Sequence, residues 1–226
     1  MIFNLKRNFV CVFCGGKRNS GQRFRYNCGI CEECAKKVPF TPEGGSFEGG
    51  KYIKYVIAAM FYEDYARDAI MRYKFDGWTC CEDVFGHIMA QHVQSFEHLR
   101  AFDMVIPVPL SEQRFNERGF NQSVPLARAV ASELGIEYCE DALIKVRNTK
   151  KQSKLSARER LENVRGEYRA QRPISGKRII LTDDIYTTGI TMDECAGTLI
   201  DAGASEVVAV TLSIKPRKEK NPYLRY

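Results

Sequence analysis

Apolar and polar positions fall into two regimes along the chain. Lys51 to Phe61 is apolar and partly β-branched, which predicts a strand. Glu63 to Lys74 then places Tyr65, Ala69, Ile70 and Tyr73 at helical spacing. After a break at Gly77, Glu82 to Phe96 reads as a second amphipathic helix. From Phe102 the pattern changes. Asp103 to Leu110 and Gly176 to Asp184 are short, nearly all-apolar runs, as expected of strands buried on both faces. Asn121 to Leu134 is a helix with Gly135 as its C-cap, and Thr191 to Ala202 is a helix closed by Gly203. Glu206 to Ile214 supplies a third buried strand. Strand, helix, strand, helix, strand predicts an α/β fold with a parallel sheet and crossover helices.

The ordinary soluble composition, 44% hydrophobic and 27% charged over 226 residues, excludes a disordered or fibrous chain. No apolar run approaches the 18 residues a membrane span needs. The N-terminus places its basic pair after apolar residues, unlike a secretory signal, so a cytoplasmic location is expected. The net charge of +6 is segregated: residues 1–37 and 145–172 are strongly basic, whereas 38–144 is acidic. Basic segments of this kind suit phosphate-bearing partners, although each alone also reads as a solvated face.

Five of the nine cysteines lie between Cys11 and Cys34. Cys11 and Cys14 form one C-x-x-C, and Cys31 and Cys34 a second after a sixteen-residue gap. That spacing fits a closed four-thiolate zinc ribbon, in which Zn²⁺ stabilises fold and does no chemistry. Cys28 offers a competing pair with Cys31; the 31/34 choice is preferred because the chain then enters an apparent helix. Cys80, Cys81, Cys139 and Cys195 read as small buried hydrophobes, and His87, His92 and His98 share no helical face. The expected organisation is a ribbon over 1–40, a Gly/Pro-rich linker over 41–50 and an α/β domain over 51–226.

The sharpest feature is Ile179 to Thr191. A hydrophobic strand ends in Asp183 and Asp184, and a loop of hydroxyls with Gly189 opens a helix. Thr187, Thr188 and Thr191 can donate hydroxyls, and free N–H groups at the helix start favour a phosphate. Carboxylates beside a phosphate need an intermediary, which ribose hydroxyls or Mg²⁺ supply. A bland strand cap or a receiver-type acid pair are the competing readings; the latter would leave a whole domain to follow, and only 42 residues follow Asp184.

This stretch resembles the signature of type I phosphoribosyltransferases, which bind phosphoribosyl pyrophosphate (PRPP). The resemblance implies that Asp183 and Asp184 hold the ribose hydroxyls and that Tyr186, Thr187, Thr188, Gly189, Ile190 and Thr191 cradle the 5′-phosphate. Pro107 to Leu110 leading to the Arg118–Gln122 motif, and Gln152, Leu155, Arg160 and Asn163 in the basic segment, extend the likeness to the ComF family, which pairs a zinc ribbon with this fold. Pro109, Leu110, Arg114 and Arg118 then correspond to the pyrophosphate loop, and 145–172, with Gln152, Arg160 and Asn163, to a mobile catalytic loop. The family also implies Mg²⁺-PRPP as ligand and a role in single-stranded DNA uptake beside other competence proteins; its fold is compatible with a homodimer. Catalysis, transfer to an unidentified nitrogen acceptor, and PRPP sensing without transfer all remain open. Arg23, Phe24, Arg25 and Tyr26 alternate cations and aromatics as a single-strand surface would, or else plug the ribbon from beneath.

Overall fold

The computed structural model describes residues 9–24, 27–146 and 166–216. The cysteine-rich start forms a small sheet from β1 (Phe9–Cys11), β2 (Lys17–Arg18), β3 (Gly21–Arg23) and β4 (Cys28–Cys31), ordered β2-β1-β4-β3 and followed by α1 (Glu32–Ala35). The 41–50 stretch joins this ribbon to the rest but is not a free tether. It lays β5 (Phe47–Glu48) antiparallel on β6 (Tyr55–Phe61), burying Phe47 and Ser46.

β6, β7 (Met104–Pro107), β8 (Glu137–Tyr138), β11 (Arg178–Tyr186) and β12 (Glu206–Ile214) are mutually parallel, in the order β5-β6-β12-β11-β7-β8. Each predicted buried strand appears within a few residues of its expected bounds. Their side chains divide by the two-residue strand period. Ile57, Ala59, Ile180, Val208 and Val210 face one core, and Val56, Ala58, Ile179, Leu181, Val207 and Ala209 face the other.

The first face is covered by α2 (Asp64–Phe75), α3 (Cys81–Val93) and α5 (Ser123–Leu134). The ribbon's Phe9, Val12 and Phe13 belong to this same core, with Phe13 and Phe85 rings 6.1 Å apart. The second face is covered by α6 (Ile190–Asp201) and by a hairpin of β9 (Leu143–Lys145) and β10 (Tyr168–Ala170). That hairpin occupies the ends of the expected loop over 145–172; Gln152, Arg160 and Asn163 lie outside the described residues. A short helix, α4 (Glu112–Arg118), stands in the turn after β7, capped by Ser111 and closed by Gly119 at φ 80°. Among the described residues no helix is long and apolar enough to cross a membrane.

Candidate functional site

The Sγ atoms of Cys11, Cys14, Cys31 and Cys34 all lie within 4.8 Å of one another. In a tetrahedral site with Zn–S bonds of about 2.3 Å the sulfurs stand ~3.8 Å apart, so little adjustment closes the cluster on one ion. The Cys31 N–H already donates toward Cys11 Sγ at 3.5 Å. Burial, reinforced by the neighbouring sulfurs, pushes the Cys34 thiol far up, a penalty that a bound dication relieves by replacing the protons.

Cys28 is not part of this set. It is disulfide-bonded to Cys80 in the turn before α3, with Cα atoms 6.2 Å apart. Cys80 is therefore not the isolated small hydrophobe expected from its lone position. The 52 residues between the partners hid the pairing. Cys81, Cys139 and Cys195 are buried and unbridged, as expected.

The 23–26 stretch divides. Arg23 donates to Asn27 Oδ1 at 3.2 Å, and the Phe24 ring packs 5.0 Å from His87 on α3. Phe24, half-buried, thus joins the ribbon to the body. Arg25 and Tyr26 lie outside the described residues.

The carboxyl ends of β7 and β11 open into a cleft of about 310 Å³. Its lining brings together Asp183, Asp184, the whole run Tyr186 to Thr191, and Pro109, Leu110, Arg114 and Arg118. β11 runs straight into the hydroxyl loop, and Gly189 at φ 76° turns the chain into α6. A Cβ there would run into the Tyr186 hydroxyl, so the close turn requires glycine. Thr187, Thr188 and Thr191 are exposed to the cleft, and the first turn of α6 directs its free N–H groups there.

The Arg118–Gln122 motif acts as scaffolding on the other wall. Asn121 Nδ2 donates to the Val108 carbonyl at 3.1 Å, fixing the exit from β7. Ser123 Oγ donates to Asp183 Oδ1 at 2.7 Å, and the Asp184 N–H donates to the same oxygen at 2.9 Å. Arg118 lies over the Phe75 ring at 5.0 Å, and its Nε and Nη1 are buried without a hydrogen-bond partner among the described residues. A guanidinium left unpaired beside two carboxylates is a ready donor for an anionic ligand.

Burial and the adjacent Asp184 charge push the Asp183 carboxyl up to about 7, against the opposing pull of Lys74 and the Ser123 hydrogen bond. A carboxyl whose pKa rises on folding binds extra protons in the folded state. Its contribution to stability is therefore complete below the ordinary carboxylate range and is lost as pH rises through about 7. Thermal melts from pH 5 to 8 should show wild type losing stability relative to Asp183→Asn. Parallel curves would show that this carboxyl is already ionised at pH 5.

The described fold agrees with comparison to known proteins. Residues 121–225 match the family described as "Phosphoribosyl transferase domain". Competence protein ComFC of Streptococcus pneumoniae is 31% identical over 155 residues, 69% of this chain and 66% of that protein. Competence protein F of Haemophilus influenzae is 25% identical over 222 residues, 88% of this chain and 94% of that protein. The chain is a homologue of the ComF competence proteins. DNA utilization protein YhgH of Escherichia coli O157:H7 is 35% identical over 116 residues, so this chain spans about half the length of that relative, 51%.

Four polar residues of this ComF homologue's cleft were not singled out from sequence. Lys74, at the end of α2, places Nζ 2.5 Å from Asp184 Oδ2. Lys145 and Glu167 pair at 2.8 Å across the β9–β10 hairpin, and the Tyr168 hydroxyl accepts from Lys145 at 3.3 Å. Glu167 is 2% exposed, and its second carboxylate oxygen has no hydrogen-bond partner among the described residues. The only signal for Lys145 and Glu167 was their position at the ends of the basic segment. Lys74 gave none, because a lysine near a helix C-terminus is ordinary.

Proposed function

We propose that this chain binds Mg²⁺-PRPP in the cleft and acts in handling single-stranded DNA during uptake. The observation that carries the first part is the meeting, at one end of the parallel sheet, of paired carboxylates, a hydroxyl loop at a helix start and an unpaired arginine. Thr187, Thr188, Thr191 and the first N–H groups of α6 take the 5′-phosphate. Asp183 and Asp184 accept from the ribose hydroxyls, with Ser123 holding Asp183 in place. Arg114 and Arg118 take the pyrophosphate.

The cleft suits a hard cation as well. Asp183 and Asp184 line it with carboxylate oxygens that could hold such an ion. Magnesium carried by PRPP screens the pyrophosphate and steadies it as a leaving group. If transfer occurs, the anomeric C–O bond breaks, pyrophosphate leaves with the electron pair, and a nitrogen lone pair forms the new C–N bond while the nitrogen sheds a proton. The protein's part is orientation and charge, with no covalent nucleophile. In the ribbon, Zn²⁺ held by Cys11, Cys14, Cys31 and Cys34 is structural, because all four positions are filled by thiolates.

The DNA part is supported by the printed names of the relatives, competence and DNA utilization proteins. It is also supported by exposed rings beside arginines at the cleft rim. Phe75 is 57% and Phe115 49% exposed, with Arg114 and Arg118 flanking Phe115 in sequence and Arg118 over Phe75 in space. Ring faces flanked by cations suit unpaired bases. Anisotropy titrations of a labelled single strand at several salt concentrations test this. The double variant Phe75→Ala/Phe115→Ala should weaken binding about tenfold or more with little change in salt slope. Unchanged affinity would remove the rim from the DNA path. Pyrophosphate release on addition of acceptor nitrogens would decide for transfer over sensing.

A further inference from the structure

The cations around the cleft are not equivalent. Lys145 is already paired with Glu167 at 2.8 Å and faces the Tyr168 ring. Arg118 rests on Phe75 with two N–H groups unpaired, and Arg114 is exposed at the rim. Lys74 alone among these side chains reaches the carboxylate pair itself, at 2.5 Å from Asp184 Oδ2. The two side chains are 14% and 3% exposed, so this is an enclosed contact rather than a surface pair.

Lys74 belongs neither to the phosphate loop nor to the turn after β7. It comes from α2, whose last turn is fixed from both sides. The neighbouring Tyr73 hydroxyl donates to the Gln122 carbonyl at 3.0 Å, and the Asp76 N–H closes the helix on Arg72 at 3.0 Å. The ammonium is therefore delivered to Asp184 from a helix end anchored by the buried Tyr73. It has three N–H donors. They stand within ion-pair distance of Asp184 and can turn toward whatever enters the cleft.

Two adjacent carboxylates repel an incoming polyphosphate, and a divalent ion is one remedy. A tethered ammonium at the same place is another, always present and needing no free metal. We propose that Lys74 is a positioning residue that serves as a built-in counter-cation for Asp183 and Asp184, and so reduces the dependence of PRPP binding on free Mg²⁺. This rests on the PRPP reading above. Because Asp183 already accepts from Ser123 and the Asp184 N–H, the lysine acts on Asp184, the more deeply buried carboxylate of the pair.

Calorimetric titration of PRPP into wild type and Lys74→Met, each with Mg²⁺ and with EDTA, tests the idea. The quantity read is the ratio of Kd in EDTA to Kd in Mg²⁺. It should be about tenfold or more larger in Lys74→Met than in wild type, a difference of one ammonium–carboxylate interaction. An equal ratio in the two proteins overturns the role given to Lys74, whatever the absolute affinities. No binding by wild type in Mg²⁺ overturns the PRPP reading, and this proposal with it. Lys74→Gln provides the same comparison if the Met variant does not fold, and Lys74→Arg should restore a ratio near that of wild type.

Discussion

Stripping the four-cysteine site with a chelator should release residues 9–38 while leaving the six-stranded sheet folded. Structural zinc contributes about 10–16 kcal/mol to isolated ribbon peptides, which are unfolded without it. Here the ribbon has other holds. Phe9, Val12 and Phe13 are buried, Arg72 donates to the Val12 carbonyl at 3.0 Å and also to that of Phe13, and Cys28 is bonded to Cys80. The metal-free ribbon should therefore be loosened rather than detached. The body keeps its second core, on the face of the sheet away from the ribbon, where Ile179, Leu181, Cys195 and Leu199 are fully buried. It loses cover over Phe85, so its melting temperature should also fall. Hydrogen exchange reads both effects. Faster exchange confined to 9–38 and the start of α3, with β6, β11 and β12 still protected, is the expected pattern. Loss of protection across the whole sheet would show that ribbon and body are a single cooperative unit and that the division near residue 40 has no thermodynamic meaning.

Asp184→Asn should cost the largest share of PRPP affinity of any single change in the cleft. The substitution keeps the shape and removes the charge that accepts from the sugar. A charge-assisted hydrogen bond is worth about 1.5–3 kcal/mol, or roughly 10- to 150-fold in affinity. A second effect adds to it, because Lys74 loses its 2.5 Å partner. Breaking an enclosed pair from one side typically destabilises by about 3–5 kcal/mol, but Lys74 is 14% exposed and can turn its ammonium toward the open cleft, so a smaller loss is expected. The variant should fold, melt somewhat lower and bind PRPP about 100-fold more weakly. Full affinity in a folded Asp184→Asn protein would place the sugar elsewhere.

The parallel sheet was readable because its strands are unusually plain. DMVIPVPL, GKRIILTDD and EVVAVTLSI are apolar on both faces, and the only economical home for such runs is the middle of an α/β/α sandwich. The place of Asp183 and Asp184 toward the carboxyl end of β11 was readable for the same reason, although the strand runs on to Tyr186. Contacts made between distant elements were not. β8 and the β9–β10 hairpin are two or three residues long, too short for periodicity to register. Lys74 reaches Asp184 across 110 positions, Ser123 reaches Asp183 across 60, and Cys28 meets Cys80 across 52. Each is created by the packing of α2 or α5 against the sheet, or of the ribbon against the turn before α3, and none leaves a local mark. Phe24 carried two readings, a nucleic-acid face or a plug beneath the ribbon, and the fold packs that ring against His87.

The central claim is that the cleft at the end of β11 takes a phosphorylated sugar pyrophosphate, and titration calorimetry of Mg²⁺-PRPP into the metal-loaded wild-type chain tests it most directly. The account predicts saturable binding at one site per chain, weakened by ribose 5-phosphate competing for the same loop. A folded, metal-loaded protein that gives no saturable heat with PRPP would contradict it, leaving the cleft a scaffold without its sugar ligand.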